Sequence, residues 1–188
     1  MPDSRAVRAL LSLGMVVGLG ATGTYAYWTD AVTVTGTTIT AGTIDLKVNN
    51  ADSVTTFTQM NVSTIIPGDS TAGVVTVKNG GTAPLHYWMG ASASNGDGKG
   101  LGAALVVKVT GDGTVSGSGK TVTCGGSALA NTKTSFTTDL LAAPATPRLL
   151  AAGASETICV QASLPTSAST GLQGAATNVT FTFSGTSF

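Results

Sequence analysis

The sequence predicts an all-β protein, an antiparallel β-sandwich preceded by an N-terminal signal helix. Beyond residue 26 the apolar residues recur mainly with period two, the mark of half-buried strands. Clusters of Gly, Asn, Asp and Pro punctuate these runs at regular spacing, as turns between short strands do. Residues that favour exposed helices are almost missing: Glu occurs once, at Glu156, and Lys six times in 188 residues.

The first element is an export signal. Arg5 and Arg8, the only basic residues before Lys47, flank the start of an apolar stretch that includes Leu10, Leu11, Leu13, Val16, Val17 and Leu19. Thr24-Tyr25-Ala26 follows, with small residues at the two positions a signal peptidase reads. A membrane anchor needs roughly 20 apolar residues. This core is shorter and is interrupted by Gly14, Gly18 and Gly20. Residues 1–26 therefore read as a cleavable signal, with retention as an uncleaved anchor as the rival and the one route to membrane contact. Cleavage between Ala26 and Tyr27 leaves 162 residues, 27–188, which read as a single secreted domain.

Within that domain Val32 and Val34 alternate with Thr, and Ile44, Leu46 and Val48 with Asp45 and Lys47. Val75 and Val77 follow after Pro67-Gly68-Asp69, then Ile158, Val160 and Ala162, and finally Val179, Phe181 and Phe183. The spacing predicts eight to ten strands, and Asp139 to Ala143 a single helical turn cut short by Pro144 and Pro147. Ile65-Ile66-Pro67-Gly68-Asp69 and Leu149-Leu150-Ala151-Ala152-Gly153 both place an apolar pair and a Gly turn before an alternating strand, a corner that sandwiches reuse.

Export changes how the cysteines read. Cys124 and Cys159 are the only two, and outside the cell such a pair tends to oxidise. A disulfide is expected, with free thiols as the alternative.

Composition excludes several functions. Nine basic and nine acidic side chains balance, with no basic run, which argues against nucleic-acid binding. After cleavage seven basic and eight acidic residues remain, too few to keep exposed strand edges apart by repulsion. His86 is the only histidine, there is no His-Glu-x-x-His motif, and neither a Gly-x-Ser-x-Gly elbow nor a P-loop occurs. No catalytic, cofactor-binding or metal-binding residue is assigned, and no enzyme is expected. Asn95-Gly96-Asp97-Gly98-Lys99-Gly100 carries part of a calcium-loop pattern but lacks the terminal Glu, so a turn is expected there.

At the junction of signal and domain the residues become specific. Gly23-Thr24-Tyr25-Ala26-Tyr27-Trp28-Thr29-Asp30, then Ala41-Gly42-Thr43-Ile44-Asp45-Leu46, resembles the TasA/camelysin family of Gram-positive bacteria. Pro67-Gly68-Asp69, Val77-Lys78-Asn79-Gly80-Gly81 and Leu85 are similar to its next block, and Val179 to Phe183 to its final strand. The resemblance implies a jelly-roll-like sandwich, secreted or held at the cell surface, whose signal is cut by a SipW-type signal peptidase. In several members such domains polymerise into matrix fibres, the freed N-terminal segment adding as a strand to the next subunit. Here that segment is residues 27–40, with Trp28, Val32 and Val34 as the side chains that would fill pockets. An ordinary first strand folded into its own domain is the alternative. Self-association, or association with related matrix subunits, is the expected partnership. A monomeric surface adhesin using the loop at 95–100 is the second reading, and a secreted hydrolase the least favoured. Camelysin members have been described as proteases, which the missing zinc motif puts in doubt here.

Overall fold

Valines alternate with smaller residues along Ser70–Asn79, and this ten-residue run forms the longest strand, β2. The computed structural model describes Ser4, Arg5, Arg8, residues 40–54 and residues 57–187. Among these, nine strands form, and every ladder pair of the named strands is antiparallel. One sheet has the order β1 (Leu46–Val48), β2, β8 (Ser155–Ser163) and β4 (Val106–Gly111). A second has the order β7 (Arg148–Leu150), β3 (Leu85–Ala93) and β9 (Val179–Thr186). A small hairpin joins β5 (Val115–Ser116) to β6 (Thr123–Cys124).

Period-two patterning decides which face of each strand is buried. Val75 and Val77 of β2, Ile158 and Val160 of β8, and Val107 and Val109 of β4 meet Leu85, Tyr87 and Met89 of β3 in one core. The opposite face of β2 and β8 carries a smaller cluster, Ala72, Cys124 and Cys159, packed by Val74 and Val122. There the expected disulfide is formed between Cys124 and Cys159, with Cα atoms 5.8 Å apart, and it pins β6 to the back of β8.

The strands expected around Val75, Ile158 and Phe181 are β2, β8 and β9. The helical turn expected at 139–143 is not helical: Leu141 instead exchanges backbone hydrogen bonds with Met89, both at 2.9 Å, and a tight turn returns Thr146 to Ala143. Leu140 and Leu141 are fully buried. Their contribution to the core outweighs the local helix preference. The one helical turn in this part of the chain is Leu101–Ala104 instead.

Residues 1–39 separate from the sandwich, residues 40–188, as a unit of their own. Ser4, Arg5 and Arg8 are helical and exposed. The proposed cleavage residues Thr24, Ala26 and Tyr27, and the strand residues Trp28, Val32 and Val34, lie outside the described residues. No helix among the described residues is long and apolar enough to cross a membrane.

Candidate assembly groove

The two seams of the sandwich, where the edges of its sheets face each other, are finished differently. On one side residues 127–141 close the gap. Gly111 donates to Ser127 and Leu129 to Val109, while Val107 and Lys133 exchange both of their bonds, so this stretch extends the sheet beyond β4. It then crosses to β3, where Ala91 donates to Thr137 and Met89 pairs with Leu141. The chain itself thus covers both edges on that side.

On the other side, among the described residues, β9 is bonded along one edge only, by β3. Antiparallel pairing decides which groups remain. Met89 and Ala91 use their backbone toward 137–141, so Trp88, Gly90 and Ser92 face β9 and pair with Ser184, Thr182 and Thr180. Phe181 and Phe183 therefore turn their N–H and C=O groups outward, while their side chains lean into the core. Between this edge and the first sheet runs a groove of about 450 Å³, lined by Leu46, Val48, Val54, Phe57, Val75, Phe181 and Phe183.

The stretch that leads from the N-terminal segment into β1 is anchored beside the groove. Thr82 and Ala83 donate to the Thr43 carbonyl, Gly80 to that of Asp45, and Thr43 to the Thr82 hydroxyl at 3.0 Å. Gly81 admits this contact because a Cβ there would collide with the backbone of residues 43–45. Asn79 locks the turn from inside: its buried amide donates to the carbonyls of Ala83, Leu150 and Ala151 and accepts from Gly81. Leu46 then lies against Gly185 of β9.

Residues 5–93, just under half of the chain, match the family described as camelysin metallo-endopeptidase. Over this stretch the chain is similar to the camelysin family. The matched residues include the two blocks that meet at 43–45 and 79–83, so the part shared with the family builds the anchor, β1, β2 and β3. No curated protein matches the chain. The family match and the disulfide are both consistent with a secreted or surface protein.

The family's name implies a metal, and the residues here do not fit one. Catalytic zinc takes three protein ligands, commonly histidines. His86, the sole histidine, is half-buried on β3 between Leu149 and Thr186, and both cysteines are in the disulfide. No three His, Cys, Asp or Glu residues come together among the described residues. The calcium-like loop is a turn, as expected, with its oxygens engaged by the backbone. Asp97 accepts from Lys99 and from Ala176, and Asn95 from Gly100.

What sequence reasoning missed is Gln59 and Asn49. Gln59 Oε1 accepts the Val74 N–H at 2.8 Å and Asn49 Oδ1 that of Thr76 at 2.9 Å, on the outer edge of β2. Nothing local announces a side chain that stands in for a neighbouring strand.

Proposed function

We propose that this camelysin-family chain is an exported structural protein of the cell surface or extracellular matrix, assembled by strand addition. After cleavage at Ala26 by a signal peptidase of the SipW type, residues 27–40 of one copy add along β9 of the next. The observation that carries this reading is the edge of β9. It is eight residues long, holds neither charge nor proline, and points the backbone groups of Phe181 and Phe183 outward. Natural edge strands are usually blunted by such devices, and an unblunted edge is a template for another chain.

The donor segment suits the role. It alternates Val32 and Val34 with threonines and carries one charge, Asp30. Added β-strands gain affinity from backbone bonds and specificity from alternate side chains.

Electron microscopy of the protein beginning at Tyr27, at rising concentration, tests the proposal. Fibres are expected from this form and not from one that lacks residues 27–36. Equal polymerisation by both forms would exclude strand addition.

A further inference from the structure

Among the described residues, Phe57 lies in the seam between β2 and β9. Its ring meets Phe181 of β9 edge-on, with centroids 6.1 Å apart and planes at 89°. On its other side lies Gly73 of β2, where a Cβ would come within 2.6 Å of the ring. Two residues later Gln59 takes the Val74 N–H, while Asn49 takes the Thr76 N–H and donates its own to the Thr76 carbonyl. Because β1 pairs with β2 only at Val77 to Asn79, side chains rather than a strand satisfy this part of the edge.

We infer that residues 57–60 are a latch in cis on the seam: they hold the place that the N-terminal strand of a second copy takes, and they leave when it arrives. This rests on the strand-addition reading above. An incoming strand must bring an apolar side chain to the space between β2 and β9, and Phe57 fills that space. The latch is built to be exchanged. Gln59 is exposed, its bond to Val74 is open to competition from water, and the short 3₁₀ turn Thr58–Met60 has no side-chain cap. Two occupants competing for one seam make the measured affinity of the second depend on how firmly the first is held.

The test uses the full chain and a fluorescent synthetic peptide of residues 27–40, with binding followed by anisotropy and amide exchange followed at Val74 and residues 57–60. Gln59→Ala removes the bond to β2 at an exposed position. Phe57→Ala empties the seam, Phe57→Leu refills it, and near-UV circular dichroism establishes that each variant is folded. The expected result is that bound peptide raises exchange at 57–60. Gln59→Ala and Phe57→Ala should bind it roughly 5- to 30-fold more tightly than wild type, as loss of one or two kcal/mol of competition implies, with Phe57→Leu in between. Binding by the two alanine variants alone supports the latch equally. Equal binding by all four proteins, with 57–60 still protected, overturns the latch and leaves strand addition standing. Binding by none overturns strand addition and the latch with it.

Discussion

Tyr87 of β3 donates its hydroxyl proton across the core to Glu156 of β8, at 2.5 Å, so the only glutamate in the chain joins the two sheets. Arg148 of β7 grips the same carboxylate through Nε and Nη2. A tyrosine, an arginine and a carboxylate from three strands therefore satisfy one another at the edge of an otherwise apolar core. Loss of the hydroxyl in Tyr87→Phe should cost about 1–3 kcal/mol in urea unfolding. Glu156→Gln should cost more, because it leaves the partly buried Arg148 without its counter-charge. The double variant should show coupling of about 0.5–3 kcal/mol, and strict additivity would disprove the staple.

The same contact sets an alkaline limit. Burial, then the hydrogen bond and charge of Glu156, push the Tyr87 phenol well above its usual 10, with Arg148 pulling weakly the other way. An unfolded chain releases this proton near pH 10, whereas the folded one keeps it. The stability it contributes is thus whole below pH 10 and declines as pH rises beyond. Between pH 10 and 12 wild type should lose about 1.4 kcal/mol per pH unit more than Tyr87→Phe, read from chemical denaturation.

At the acid end the loop at 95–100 should loosen. The backbone N–H of Lys99, then that of Ala176, hold the Asp97 carboxyl below the ordinary carboxylate range. A depressed folded value means that the contribution is present at neutral pH and is lost as pH falls through that value. The amide shifts of Lys99 and Ala176 should titrate together below pH 4 in wild type and stay flat in Asp97→Asn. Independent titration of the two amides would show that Asp97 does not join the loops.

Reduction should release the back of the first sheet. The bridge spans 35 residues, and the chain-entropy account gives about 3–4 kcal/mol for such a loop. Cys124→Ser with Cys159→Ser should lower the melting temperature, and exchange should rise first at β5 and β6, which the bridge holds against β8. Uniform exchange across the sandwich would contradict this placement.

Asn79→Ala should be among the most damaging single changes, at about 2–3 kcal/mol by urea denaturation. It strips three carbonyls, that of Leu150 fully buried, of one shared donor. Asn79→Asp should not rescue it, because a carboxylate cannot donate to those carbonyls.

The strands are legible because period two survives in a linear reading: the alternation around Val75, Ile158 and Phe181 marks β2, β8 and β9. The disulfide was legible because a chain with only two cysteines has one pairing available. Two features were not. Leu140 and Leu141 sit in a helix-like stretch and are drawn instead onto β3, since burying two leucines outweighs a weak local preference. Gln59 and Asn49 carry no local signal, because their value comes from an edge that another part of the chain leaves uncovered.

By itself, then, the sequence determined an all-β sandwich, its alternating faces, its one bridge and its family blocks, all consequences of neighbours along the chain or of composition. Only the tertiary structure decided which seam residues 127–141 close and which, among the described residues, is left to side chains. Covering an edge takes a second segment from elsewhere in the chain, here 127–141 on one side and Phe57 with Gln59 on the other. Long-range packing makes that choice, and no local pattern encodes it.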